Sequence, residues 1–454
     1  MTVEGLTINS LKKKDLLTLG FMMFSIYFGA GNLIFPPALG QAAGDHTLHA
    51  MLGFMTTGIG LPLLGITAIA LAGGEYVPLL HAKTWPRFAT VLLVILYLII
   101  GPLFAMPRTG AVSFEIGIRP FLSADNLALG QIIYTAVFFA SSYYLALNPN
   151  KIIDRVGRML TPALLIVLLI LFVQAFHAPL GAILPATGAY IDAPFAQGFQ
   201  DGYQTMDLLA SIAIGALVAN AVRMRGITDS RAVGAACLVS GLITVMLMAA
   251  VYGSLAYIGA TSTSVLGQAE NGGQILSAAV GIFFGSAGNL LLAVIIGLAC
   301  LTTCCGITSS AAMFFNKLLK GRVSYERLLL FSILFSFAAS NVGLTQIIAL
   351  AIPFLVTIYP LIIVFVILSL FDRFIGWRKS IYQGAMALTL VFSLIDGLHA
   401  AGLSSEPVHA LLVTYIPFYN IMMGWVCPAV IGAFVGLIIS FFQTVPRAAE
   451  ESHV

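Results

Sequence analysis

Long apolar runs joined by short polar links fill the chain. Twelve are long enough to span a bilayer, at approximately 16–39, 48–74, 88–112, 129–147, 159–178, 197–222, 232–260, 284–315, 327–344, 346–370, 381–401 and 411–442. Each has room for the ~20 residues of a membrane helix. Only Ser340-Asn341-Val342-Gly343 separates the ninth from the tenth. The pattern predicts an all-α polytopic membrane protein with 12 transmembrane helices.

Two runs carry residues that a continuous helix would avoid. The first contains FGAGNLIFPPALG, Phe28 to Gly40. Gly29 and Gly31 permit unwound backbone, Asn32 can bond freed backbone or a ligand, and Pro36 removes a donor. Non-helical backbone at membrane depth is tolerated only where it is buried in protein or lines a cavity. A break here would aim the N–H groups of a half-helix at an anion and leave carbonyls for a cation. Five segments later, Ala196 to Asn220 holds Gly198, Gly202, Gln204, Thr205 and Asp207 ahead of its apolar half. The alternative is that Asp201 to Asp207 form an outer loop and the helix starts later. Paired breaks five segments apart are what inverted repeats produce. The expected organisation is a cytoplasmic N-terminus (1–15), a first repeat of five helices (16–178), a second (196–370), two further helices (381–442) and a cytoplasmic tail (443–454).

Composition sharpens this reading. Of 454 residues, 59% are hydrophobic and 9% charged, against about 25% charged in soluble domains. A lipid bilayer is therefore the expected surroundings. The net charge of +3 is spread thinly between apolar runs, with no basic patch to suit nucleic acid. Lys12–Lys14 precede a first run far longer than a signal peptide's ~7–15 apolar residues. With the predicted spans, nineteen Lys and Arg fall on one side and only Arg108 and Arg119 toward the other. That bias places both termini in the cytoplasm. The five cysteines lie in apolar segments, which indicates no disulfide framework.

Candidate chemistry sits in the eighth and third runs. Ala299, Thr302 and Thr303 stand at i, i+3 and i+4 and share a helix face. Their oxygens are hard ligands suited to Na⁺, although Ser and Thr also serve membrane-helix packing. Arg108 and Glu115 lie seven apart near the outer end of the third run. Ionisable residues at membrane depth suggest function. Either Arg108 pairs with Glu115 or Asp207 to gate the outer pathway, or both residues snorkel to the interface.

FGAGNLIFPPALGQAAG, GPLFAMPRTGAVSFEIG and GYQTMDLLA resemble signature segments of the bacterial branched-chain amino acid:cation symporters. The resemblance covers essentially the whole chain. It implies Na⁺-coupled uptake of leucine, isoleucine and valine across the inner membrane. That family is similar in turn to the amino acid–polyamine–cation group, with its LeuT-like five-plus-five inverted-repeat core. The resemblance implies that Gly29, Ala30, Gly31 and Asn32 hold the substrate carboxylate. It also implies a Na⁺ site built from carbonyls near Ser25 and Phe28 with Ala299, Thr302 and Thr303. From the sixth run, Gln204, Thr205, Met206 and Ser211 are expected at the substrate. Met206, Leu208, Leu209 and Ile212 are expected to offer an apolar side-chain pocket.

No H-E-x-x-H, G-x-S-x-G or P-loop pattern points to an enzyme, and a channel needs no paired broken helices around a closed site. The competing reading among carriers is a proton-coupled transporter of another small neutral amino acid. A monomer is expected to suffice for transport.

Overall fold

The computed structural model describes residues 12–74, 76–147, 149–227, 229–375, 378–403 and 406–442. Residues 1–11 of the tail expected at 1–15, and all of the tail expected at 443–454, lie outside these. So do the side chains of Lys151, Arg155, Arg158 and Arg373, which enter the charge bias.

Among the described residues every regular element is a helix. The first half comprises α1 (Lys13–Tyr27), α2 (Ala30–Ala43), α3 (Thr47–Met55), α4 (Leu61–Leu71), α5 (Tyr76–Lys83), α6 (Pro86–Leu98), α7 (Ala105–Gly117), α8 (Leu127–Ala146) and α9 (Pro149–His177). Then come α10 (Pro194–Asp201), α11 (Asp207–Arg223), α12 (Ser230–Leu266), α13 (Gly272–Leu318), α14 (Tyr325–Ser340) and α15 (Leu344–Leu370). A short α16 (Asp372–Ile375), α17 (Lys379–Ala400), α18 (Glu406–Tyr415) and α19 (Val426–Phe442) complete it. Among the described residues, seven helical stretches are long and apolar enough to cross a membrane, or eight with one bent pair counted as a span. The protein is a multi-pass membrane protein.

Length shows where the chain reverses. The stretch Ala30–Leu71 has 42 residues and would run about 63 Å if straight, twice a bilayer core of about 30 Å. It turns at Gly44, whose φ of +48° suits glycine. Likewise α13 has 47 residues and breaks at Gly285 (φ 64°), separating a shorter first piece from the expected eighth run.

Three boundaries differ from the sequence pattern. The third run is interrupted at Gly101, where φ −99° and ψ −125° depart from helix and Pro102 follows. It resumes as α7. The twelfth run, expected at 411–442, is split into α18 and α19. Pro417 stops the first piece, and Phe418 and Met422 both take left-handed backbone. In the first run the break is confined to Phe28 and Gly29, and Pro36 and Pro37 lie inside α2.

Small residues let the helices around the first break approach closely. A Cβ on Gly40 would fall 1.9 Å from the Ala256 carbonyl oxygen, and one on Gly259 2.0 Å from that of Pro37. These contacts press α2 onto α12. On the other flank, Lys83 of α5 donates to Asp372 at 2.8 Å, and the Tyr382 hydroxyl donates to the same carboxylate oxygen at 3.0 Å. Burial lowers the Lys83 ammonium from its usual pKa, against an opposing pull from Asp372. This pair ties α5 to α16 and α17.

Candidate functional site

The first break is built by backbone and then locked by one amide. After Tyr27, Phe28 and Gly29 are extended, and α2 restarts at Ala30. The Gly29 N–H donates to Asn32 Oδ1 at 3.0 Å. The other end of the Asn32 amide donates to Asp207 Oδ2 at 2.7 Å and to the Tyr252 hydroxyl. One side chain, 1% exposed, thus joins α2 to α11 and α12.

The second break faces it. α10 continues as a 3-10 turn over Gly202–Thr205, Met206 takes φ 62°, and α11 starts at Asp207. The two halves bend by 47°. A non-glycine residue at positive φ is strained. Here the Thr205 hydroxyl supports it, donating to the Gly202 carbonyl at 2.9 Å and accepting from the Asp207 N–H at 3.4 Å. The helix therefore starts early and breaks, rather than beginning after an outer loop.

Arg108 comes from α7 and lies between the two breaks. It is buried, so it does not snorkel. Its Nη1 donates to the Gln204 carbonyl at 2.6 Å, and its guanidinium lies 5.1 Å from the Phe35 ring centroid. A Cβ on Gly31 would sit 2.9 Å from Nη2, so glycine there makes room for the cation. Arg108 Nε and Gln204 Oε1 are buried and have no hydrogen-bond partner.

Glu115 lies apart from Arg108. It pairs with Arg119 and accepts from Gln274 Nε2 at 2.9 Å and Asn271 Nδ2 at 3.3 Å. Seven residues on one face are about 10.5 Å apart along the axis, so each charge found partners at its own level. The pairing of Arg108 with Glu115 expected from spacing does not form. With Asp207, Arg108 shares a neighbourhood but no ion-pair contact: among the described residues the ion pairs are Lys83–Asp372 and Arg119–Glu115.

The positions expected around Na⁺ are only partly brought together. Thr303 of α13 abuts the first break, its Oγ1 3.7 Å and its Cγ2 3.4 Å from a Cβ placed on Gly29. Thr302 turns its hydroxyl back to its own helix, donating to Ala299 O at 2.9 Å and Leu298 O at 3.2 Å. Ser25 occupies the last turn of α1, and Phe28 the break itself. The last carbonyls of a helix lack intrahelical partners and carry its negative dipole end. Hydroxyl and carbonyl oxygens at such a point fit a hard monovalent cation.

Ser211 lies one turn into α11. Its hydroxyl donates to Leu208 O at 2.6 Å, and it packs against Gly65 of α4. Met206, Leu208, Leu209 and Ile212 are buried in the core shared with α15 and α17. Sequence reasoning missed Tyr252 and Phe35. Tyr252 sits in an uninterrupted apolar pattern and Phe35 directly before Pro36-Pro37, and neither pattern tells that the one meets Asn32 and the other Arg108, so only tertiary proximity reveals them.

A family profile described as "Branched-chain amino acid transport protein" matches residues 12–443. The chain belongs to this branched-chain amino acid transport family. It is 46% identical over 434 residues to the branched-chain amino acid permease BraB of Bacillus subtilis, covering 96% of this chain and 97% of the relative. It is 44% identical over 441 residues to the branched-chain amino acid transport system 2 carrier protein of Pseudomonas aeruginosa, covering 97% and 99%. Against the permease BrnQ of Escherichia coli K12 it is 38% identical over 432 residues, covering 95% and 96%. These family members are named permeases and carriers; the chain is a transporter and not an enzyme. Among solved structures, it resembles Mhp1, titled a nucleobase-cation-symport-1 family transporter, with a TM-score of 0.57 and 14% identity over 94% of this chain and 92% of that one. It also resembles MhsT in complex with L-phenylalanine, with a TM-score of 0.54 and 17% identity over 93% and 98%. At these identities the likeness speaks for a LeuT-like fold alone.

Proposed function

We propose that this chain is a sodium-coupled symporter that imports leucine, isoleucine and valine across a bacterial inner membrane by alternating access. The observation that carries this reading is the first helix break, set against Thr303 on one side and the second break on the other. The names of the relatives support the substrate class. In this reading the described helices form twelve spans: two inverted repeats of five with one break each, followed by two more. The bias of nineteen Lys and Arg against two supports cytoplasmic termini. A monomer is proposed to suffice for transport.

The substrate carboxylate meets the N–H groups of Ala30, Gly31 and Asn32 at the positive end of α2. Gln204, Thr205 and Met206 face it from the second break. Sodium, carried as co-substrate, meets carbonyls of Ser25, Phe28 and Ala299 with the hydroxyls of Thr302 and Thr303. The unwound residues let each half-helix tilt separately, which is what opening to alternate sides requires.

Leucine uptake into proteoliposomes tests this. An inward Na⁺ gradient should drive accumulation, and replacing Na⁺ by choline should abolish it. Asp207, a buried carboxyl beside the breaks, favours the second reading of proton coupling. Uptake in choline driven by a pH gradient would establish that reading and end the first.

A further inference from the structure

Two side chains able to carry opposite charge, Arg108 and Asp207, are buried at the paired breaks with only neutral hydrogen-bond partners. Arg108 rests on a carbonyl and an aromatic face, and its Nε has no acceptor. Asp207 rests on the Asn32 amide. Burying charge is costly unless it is paired, and elsewhere in the core Lys83 and Asp372 do pair directly. Among the described residues the ion pairs are Lys83–Asp372 and Arg119–Glu115, and Arg108 and Asp207 make no ion-pair contact with one another. Their immediate neighbours are adjacent residues on both breaks: Gly31 and Asn32 of α2, and Gln204 near the start of α11.

We infer that the two charges read the two ends of a zwitterion. Arg108 takes the α-carboxylate through its unpartnered Nε, and Asp207 takes the α-ammonium, with the unpartnered Oε1 of Gln204 as a second acceptor. The substrate then supplies the counter-ions that each charge lacks, and the two breaks close around it. The zwitterion, rather than the carboxylate alone, becomes the recognised unit. This rests on the amino acid reading above.

The test crosses ligands with variants, using the full chain in nanodiscs at saturating Na⁺ and radiolabelled leucine displaced by three competitors. These are leucine, 4-methylpentanoate (which lacks the ammonium) and isoamylamine (which lacks the carboxylate). In the wild type both truncated ligands should bind about 10- to 100-fold more weakly than leucine, the range for a charge-assisted hydrogen bond. Arg108→Gln should weaken leucine by a similar factor and leave isoamylamine unchanged. Asp207→Asn should weaken leucine and leave 4-methylpentanoate unchanged. Arg108→Lys keeps the charge without the planar fork, should fall between, and serves if the glutamine variant does not fold. Equal weakening of all three ligands by a variant would make that residue structural and overturn its assignment. Binding of 4-methylpentanoate as tight as leucine in the wild type overturns the role of Asp207 without any variant. An Asp207→Asn protein with unchanged ligand ratios but no pH dependence of uptake would give that carboxyl to proton handling instead. A wild type that binds none of leucine, isoleucine and valine would remove the functional reading itself. Flat ratios with firm leucine binding would remove only this inference.

Discussion

Individual residues near the breaks make separable predictions. Thr303 meets the unwound backbone at Gly29, so Thr303→Val should cost about 10- to 100-fold in Na⁺ affinity, one charge-assisted ligand being worth roughly 1.5–3 kcal/mol. Thr303→Ser should retain most of it. Leucine binding should weaken in Thr303→Val at fixed Na⁺ and recover at saturating Na⁺, since ion and substrate are linked. An unchanged Na⁺ dependence would make the threonine a packing residue. Gly31→Ala would place a methyl group 2.9 Å from Arg108 Nη2. The guanidinium can swing aside, so the protein should fold, but leucine affinity should drop about tenfold in a binding assay, the lower end of that range. Arg108→Ala should impair uptake far more than Arg119→Ala. Arg119 is partly exposed in its pair with Glu115, and such pairs contribute about 0–1 kcal/mol.

At the scale of helices, much was legible because lipid forces apolar runs and tolerates breaks only at protected places. Gly29, Gly31 and Asn32 announced the first break, and Gly202 to Asp207 the second. The Gly101 interruption was not legible, since one Gly-Pro pair inside an apolar run reads equally as a kink. The Arg108–Glu115 pairing failed because spacing gives the face of a helix and not what stands opposite at each level. The close α2–α12 contact offers a test within one helix. Gly259→Ala drives a methyl group to 2.0 Å from the Pro37 carbonyl oxygen, whereas a Cβ at Gly253 meets nothing within 4 Å. Overpacking costs about 1–3 kcal/mol, and an unstrained Gly→Ala change gains about 0.4–1 kcal/mol. Heat inactivation in detergent should therefore come earlier for Gly259→Ala and no earlier for Gly253→Ala.

For the whole molecule, the charge bias predicts that a fluorescent protein fused after Val454 will mature and that alkaline phosphatase fused there will stay inactive, as for a cytoplasmic end. Active phosphatase would mean a miscounted span. The buried tie between Lys83 and Asp372 has a different consequence, in time. The two residues are 289 positions apart. At ~5–20 residues per second, roughly 15–60 s of synthesis separate them. Throughout that interval the nascent first half carries Lys83 before Asp372 has been made. A helix of the first half is thus completed only by one near the end of the chain, and a ribosome that stalls before Asp372 leaves this buried tie unmade.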